Sequence, residues 1–283
     1  MVHTPMKPLT IKPLKYITPS RVFALERCFL QVAFGLDEQY SSYRTYSPRA
    51  RLGSITHDIL EKVSKGILQG KNEARWESSL LQLWDEEVEK HEQEVLASES
   101  EQHYGMAERW PRYNLQKVLT IRKSLEIAAS LQKSATYKSK GRWDTEKYVQ
   151  AFNGKLRGRA DAIYQSEQGT EIIDYKTGNI YDEDKNGDSH LKTDYRRQLL
   201  LYAAMYHAET GQWPIRGHII PLVGQQVTIE IDPVTANNEV STALSLLNQF
   251  NKSVSEDDSL LSLAQPSEQS CRYCTYKAIC TVV

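Results

Sequence analysis

Residues 156–178, LRGRADAIYQSEQGTEIIDYKTG, are the most informative part of the sequence. Its two halves have the composition of β-strands, and Gln168-Gly169 supplies the turn between them. A hairpin of these strands places Asp161 across from the end of the second strand, close to Asp174. Two neighbouring carboxylates repel each other unless a cation lies between them. The stretch therefore indicates a site for a hard divalent metal ion.

Asp174 and Lys176 lie two residues apart on one strand, so their side chains share a face. This arrangement suits phosphodiester hydrolysis, in which a metal ion polarises a phosphate oxygen and a lysine orients water or neutralises developing charge. The side chain of Tyr175 points away, but its carbonyl is available as a metal ligand. The alternative is an ordinary acid and lysine on an exposed strand, because short motifs occur by chance.

The rest of the chain combines helical and strand patterns, which indicates an α/β fold. We predict a helix at 18–35, capped by Thr18 or Ser20 and ended by Gly35, and a helical insertion at about 70–135. No phosphate-binding glycine loop of a nucleotide-driven motor is present. The predicted helices are 18–35, 52–69, 74–103, 110–135, 192–209 and 233–252, and the predicted strands are 143–151, 156–165, 170–176, 215–223 and 225–231.

The composition is that of a soluble globular protein, with 40% hydrophobic and 25% charged residues among 283. The length suits one domain that spans 1–283. The first twenty residues lack the apolar run of a signal peptide, and no segment is apolar enough to span a bilayer. We therefore expect a cytoplasmic protein that does not associate with a membrane. The net charge of −1 leaves any nucleic-acid binding to a local basic patch.

Four cysteines form one further pattern, with C-x2-C-x5-C spacing in the last three. In an oxidising compartment they would allow two disulfides, but in a cytosolic protein such a cluster more often binds a metal or an iron–sulfur centre. Both a structural zinc ion and a [4Fe–4S] cluster need four ligands, so spacing alone does not separate them. The four are Cys28, Cys271, Cys274 and Cys280.

The order of these motifs resembles a known family. G-R-A-D at 158–161 followed by I-I-D-Y-K-T-G at 172–178 resembles the core of PD-(D/E)XK nucleases of the RecB type. Alanine, not proline, precedes Asp161, a change that touches no ligand. Three further segments match in order: the opening Y-I-T-P-S-R-V-F-A-L-E-R-C (16–28), G-S-I-T-H (53–57) with His57, and R-R-Q-L-L-L-Y (196–202) with Gln198 and Tyr202.

This resemblance implies a restriction-endonuclease-like core, with a mixed central sheet flanked by helices. It implies that Mg²⁺ or Mn²⁺ is bound by His57, Asp161, Asp174 and the Tyr175 carbonyl. Lys176 would assist the attacking water, while Gln198 and Tyr202 would position the lysine, the water or the scissile strand. The implied catalytic set is therefore Asp161, Asp174, Lys176, Gln198 and Tyr202.

The cysteine layout resembles that of iron–sulfur RecB-like nucleases, which include the AddB nuclease domain and the CRISPR-associated exonuclease family. It implies a [4Fe–4S] cluster that is bound by Cys28 and the 268–283 segment and joins the C-terminus to the first helix. The resemblance also implies an exonuclease acting on DNA with single-stranded ends, beside a helicase or in repair, recombination or defence. The alternatives are a non-catalytic or partner-activated nucleic-acid-binding subunit of a helicase–nuclease complex, and a zinc-stabilised helical adaptor.

Basic and aromatic side chains near the motifs are candidate DNA contacts. Arginines and lysines would meet phosphates, and aromatic rings would stack on unpaired bases. For each of them, a solvated charge or a half-buried ring is an equally good interpretation. The basic positions are Arg157, Arg159, Lys192, Arg196, Arg197 and three within Lys138 to Arg142, and the aromatic ones are Trp143, Tyr148, Tyr181 and Tyr195.

Overall fold

The computed structural model describes residues 11–136, 141–184, 186–256, 260–272, 274–280 and 282. The strands are β1 (Arg142–Ala151), β2 (Leu156–Ser166), β3 (Gly169–Lys176), β4 (Tyr181–Glu183), β5 (Ser189–Leu191), β6 (Arg216–Pro221) and β7 (Val227–Glu230). The helices are α1 (Pro19–Arg27), α2 (Phe29–Leu36), α3 (Glu38–Ser41), α4 (Pro48–Ser64), α5 (Trp76–Ala97), α6 (Tyr113–Thr136), α7 (Thr193–Thr210), α8 (Pro233–Glu256) and α9 (Glu268–Arg272), with short 3₁₀ turns between some of them.

The predicted hairpin, β2 and β3, lies in a five-stranded sheet of order β1-β2-β3-β6-β7. Neighbouring strands are antiparallel except β3 and β6, which run parallel. A parallel pair needs a long crossover connection, and here α7 supplies it. The sheet is therefore mixed, as expected. The strand that carries Asp174 and Lys176 is at its centre.

Helices cover both faces of the sheet. The side chains of β3 alternate, so that Ile172 faces a large core built with α1, α2, α7 and α8, whereas Ile173 faces the opposite side and packs with Leu60 of α4. Both isoleucines are buried. This two-sided burial explains why two consecutive isoleucines stand before the polar end of β3.

Helices α4, α5 and α6 form a second core around the buried Trp84, whose indole N–H donates to the hydroxyl of Tyr113 at 3.0 Å. Two carboxylates of the acidic stretch on α5 pair with cations of α4: Glu87 with Lys62, and Glu94 with Arg51. Residues 70–135 belong to this helical part, and their interpretation as an insertion stays a prediction. No helix in the described ranges is long and apolar enough to cross a membrane.

The single helix predicted at 18–35 is wrong, because Cys28 breaks it. Cys28 has an extended backbone (φ −170°, ψ 120°) and separates α1 from α2. The Thr18 side chain caps α1 as predicted, accepting from the N–H of Arg21 at 3.2 Å. Helix α2 continues one residue past Gly35 to Leu36. The small β4–β5 hairpin and the short helices α3 and α9 were not predicted.

Candidate active site

The site begins where β2 and β3 separate. Their pairing ends at Ala162 and Ile173, so the next pair in register would be Asp161 and Asp174. At that position the Asp161 carboxylate accepts the backbone N–H of Tyr175 through Oδ2 at 2.7 Å. A side chain thus takes the hydrogen bond that the strand ladder would otherwise make. The two aspartates lie at the same point of the hairpin, as the sequence predicts.

Lys176 is held by several groups at the end of β3. Its Nζ lies 2.6 Å from Oδ2 of Asp174 and donates to Oε1 of Gln198 at 2.9 Å. The ring of Tyr195 lies 4.7 Å from the same nitrogen, within the range of a cation–π contact. Helix α7 therefore orients this lysine through Gln198 and Tyr195.

Asp174 is buried, with 2% of its surface exposed. Burial raises the pKa of this carboxyl above its ordinary value, and the charge of Asp161 raises it further, while Lys176 opposes the shift. Removal of Lys176 would leave the buried carboxylate of Asp174 beside that of Asp161 without a cation. The Asp174–Lys176 ion pair is thus the part of the site that makes an ionised Asp174 tolerable inside the protein.

His57 reaches the site from α4. Its Nε2 lies 3.3 Å from Oδ1 of Asp161. This hydrogen bond raises the pKa of His57 to about 9, against the opposing effect of burial. A metal ion would compete with that proton for the same imidazole nitrogen, since a histidine ligand must be neutral.

Glu146 on β1 is a site residue that the sequence interpretation missed. The potential ligand atoms of His57, Glu146 and Asp161 all lie within 4.8 Å of one another. Asp174 is not a member of that group in the described part of the chain, because its carboxylate is turned to Lys176. In the sequence, Glu146 looks like any exposed glutamate of a strand, and only its meeting with Asp161 across the sheet distinguishes it.

Tyr202 contacts the backbone of the strand that carries Asp161. Its hydroxyl donates to the carbonyl of Arg159 at 2.8 Å, and its ring packs over Gly158. Burial raises the pKa of Tyr202, although a hydrogen bond with Gln198 opposes this. Tyr202 therefore positions the backbone of β2, and it also contacts Gln198.

Some of the side chains predicted to contact DNA interact with other groups of the protein instead. Arg197 donates to both carboxylate oxygens of Glu26, at 2.7 and 2.8 Å, and to Glu239 at 2.7 Å. It joins α7 to α1 and α8, so it is not available for a phosphate. The ring of Trp143 lies 4.8 Å from that of Tyr164 and packs in the sheet's core.

Other predicted contacts remain accessible. Arg196 and Tyr148 are exposed, and so is Tyr181. Lys138 and Lys140 lie outside the described residues. Further predicted contacts have partners within the protein: Arg142 pairs with Asp144, Arg157 stacks on Tyr16, Arg159 lies near Glu146, and the Lys192 ammonium donates to the carbonyl of Asn179.

The four cysteines line one cavity between the start of α2 and the C-terminal segment. Apolar side chains, such as Leu30 and Phe34, form part of its wall. All four cysteines are free thiols, and burial raises the pKa of Cys274, with the other three adding to the shift. The four thiols share this apolar pocket, but no three of their sulfur atoms lie within 4.8 Å of one another. Besides Cys274, the cysteines that line the cavity are Cys28, Cys271 and Cys280.

Comparison with known proteins agrees with this geometry. The model of one family, the PD-(D/E)XK nuclease superfamily, matches residues 16–281, which include every element of the sheet and all four cysteines. Among curated proteins, no significant match is found. Because the match covers nearly the whole chain, this protein belongs to the PD-(D/E)XK nuclease superfamily.

Proposed function

We propose that the chain is a deoxyribonuclease that hydrolyses phosphodiester bonds with Mg²⁺ or Mn²⁺. One observation carries the proposal: the Asp174–Lys176–Gln198 chain of contacts lies next to the Asp161–His57 pair, at the end of one hairpin. Family membership gives the reaction class. The arrangement provides metal ligands and a fixed cation together, which phosphodiester hydrolysis needs.

The donors available at the site fit a hard divalent cation. His57, Asp161, Asp174 and the Tyr175 carbonyl would hold it, three of them through oxygen. When bound, such an ion neutralises charge on the phosphate and lowers the pKa of water. Binding would require His57 to lose the proton that Asp161 now stabilises, and Asp174 to release part of its contact with Lys176.

Lys176 would act on the attacking water or on the phosphate. Its ammonium group is within 2.6 Å of Asp174, so it lies at the same place as the metal ligands. Gln198 accepts one of its three N–H bonds, and Tyr195 faces it from the side, so its direction is set before substrate binds. Preorganisation of this kind avoids the cost of orienting a flexible side chain during the reaction.

The finer assignment rests on resemblance in sequence. We infer from it an exonuclease of the RecB-like iron–sulfur branch, acting on DNA with single-stranded ends in repair, recombination or defence. A helicase or another partner protein would supply unwound DNA. The exposed Arg196, two residues before Gln198 on α7, is a candidate phosphate contact.

The cysteines are proposed to bind a [4Fe–4S] cluster. The shared cavity supports a common centre, and the cysteine spacing, by resemblance, favours iron–sulfur over zinc. Its first role would be structural, because it would tie the 268–283 segment to the break between α1 and α2. Iron and acid-labile sulfide in a brown, anaerobically purified protein would support this assignment. A colourless preparation that contains zinc would overturn it.

Cleavage of end-labelled DNA tests the function. Single- and double-stranded substrates would be incubated with Mn²⁺, with Mg²⁺ or with chelator, and wild type compared with Asp174→Ala and Lys176→Ala. We expect metal-dependent cleavage by wild type, lost in both variants, and the fate of the label gives the polarity. Absence of cleavage with unimpaired DNA binding in all three proteins would instead support a non-catalytic or partner-activated subunit.

A further inference from the structure

Glu146 carries a largely buried side chain whose carboxylate lacks an adequate partner. Its side chain is 9% exposed, and its Oε1 has no hydrogen-bond donor anywhere in the described ranges. The nearest cation is Arg159, whose guanidinium lies 3.6 Å from Oε2 and is itself 63% exposed. That distance is longer than a hydrogen bond, and solvent screens so exposed a partner.

The groups that face Glu146 make its charge more costly. The carboxylate of Asp161 lies within 4.8 Å of that of Glu146, so two negative charges meet where little solvent reaches the Glu146 side chain. The residue also has φ of 51° in the middle of β1, a left-handed conformation that is unfavourable for a side chain other than glycine. Strained positions of this kind cluster at active sites and at ligand-binding residues.

A divalent cation would offset the uncompensated charge of Glu146. The ligand atoms of Glu146, His57 and Asp161 lie within 4.8 Å of one another. Opposite ligands of an octahedral Mg²⁺ or Mn²⁺ ion lie about 4 Å apart, since each bond is about 2.1 Å long. The three side chains therefore need only small movements to surround one ion. They come from three separate elements, β1, α4 and β2.

We propose that Glu146 is a further ligand of the divalent ion at the active site, binding beside His57 and Asp161. This inference rests on the proposed function, because it concerns the same metal site. It makes β1, an edge strand of the sheet, part of the metal centre. It also assigns a third carboxylate to the site, in addition to Asp161 and Asp174.

Calorimetric titration of the metal-free protein with Mn²⁺ tests the proposal without relying on activity. Glu146→Gln keeps the size of the side chain and removes its charge, so we expect Mn²⁺ affinity to fall by about ten-fold or more. The matched control is Glu230→Gln, the same change at an exposed position of the opposite edge strand β7. It should leave the affinity unchanged.

One further variant and one measurement of stability separate the proposal from its alternatives. If Glu146 only pairs with Arg159, then Arg159→Gln should weaken Mn²⁺ binding as Glu146→Gln does, and this result would overturn the proposal. We expect Arg159→Gln to leave affinity unchanged or to raise it. Thermal unfolding with chelator should give Glu146→Gln a midpoint equal to or above that of wild type, because an unpaired carboxylate is removed. A lower midpoint would show that Glu146 is structural and would count against the proposal.

Different results would overturn the role of Glu146 and the proposed function. Loss of Mn²⁺ binding in His57→Ala and Asp161→Asn, with full affinity retained in Glu146→Gln, would overturn the role of Glu146 and leave the nuclease site intact. Wild-type protein that binds no Mn²⁺ would overturn the metal site itself, and with it both proposals. Weakened binding in all three variants, with Glu230→Gln normal, is the result that we expect.

Discussion

Replacement of Gly158 by alanine tests how closely α7 must approach the strand that carries Asp161. A Cβ atom at this position would lie 2.7 Å from Cε1 of Tyr202, and 3.2 Å from both Met205 and Pro19. The Tyr202 ring is buried and its hydroxyl is bonded to the carbonyl of Arg159, so it has little room to move away. Overpacking of this kind costs about 1–3 kcal/mol. At roughly 2–4 °C per kcal/mol, the midpoint of thermal unfolding should fall by about 2–12 °C.

The matched control is Gly178→Ala, because a Cβ atom at Gly178 meets no atom within 4 Å. That variant should be neutral, or more stable by about 0.4–1 kcal/mol through the smaller entropy of the unfolded chain. Chemical denaturation of both variants gives the free energies of unfolding. In a Tyr202→Ala background the cost of Gly158→Ala should shrink, since the closest contact is gone. Equal stability of the two alanine variants, or an undiminished cost without the tyrosine, would refute the packing argument.

Three other outcomes follow from the contacts described above. In metal-free protein the free energy of unfolding should fall as pH rises from 6.5 to 9, because Asp161 raises the pKa of His57 to about 9. Stabilisation by protonated His57 is complete below the pKa of the unfolded state and is lost above the pKa of the folded state. His57→Gln should remove this pH dependence, and urea titrations in which the variant's stability falls with pH as much as that of wild type would contradict the prediction. Arg197→Ala should destabilise the protein by about 1–3 kcal/mol without changing the salt dependence of DNA binding. Arg196→Ala should instead lower the slope of log affinity against log salt concentration by about 1. The reverse pattern would refute the distinction between a structural Arg197 and a DNA-binding Arg196. Cys274→Ser should remove most of the bound iron and lower the thermal midpoint, as metal analysis and thermal unfolding would show; full iron content would exclude this ligand.

The hairpin and the helices around it could be predicted from local patterns. Strand composition and a Gln-Gly turn predict the hairpin of β2 and β3, and the observed pairing of Ala162 with Ile173 places Asp161 across from Asp174 as expected. Helix α7 begins at Thr193 and ends at Thr210, one residue from the predicted bounds. The contact of Lys176 with Gln198 follows once that helix packs beside β3. These features depend on residues that are near each other in sequence or on a strong period.

Features that depend on distant partners could not be predicted in this way. Glu146 becomes part of the site only because β1 pairs with β2 and turns this side chain toward Asp161. The break at Cys28 interrupts an apolar pattern that continues across it, so the sequence reads as one helix. Arg197 looks like a free cation until folding brings Glu26 and Glu239 to it from two other helices. In each case tertiary structure overrides a local signal.

We propose that one carboxylate site both binds the divalent ion and cuts DNA. The most direct test measures Mn²⁺ affinity by calorimetry and, under the same conditions, the Mn²⁺ concentration that gives half-maximal cleavage. For wild type the two values should agree, and Asp161→Asn, which changes a carboxylate bonded to both His57 and Tyr175, should weaken both together. Cleavage that persists in chelator, or that survives in Asp161→Asn while Mn²⁺ binding is lost, would contradict the account.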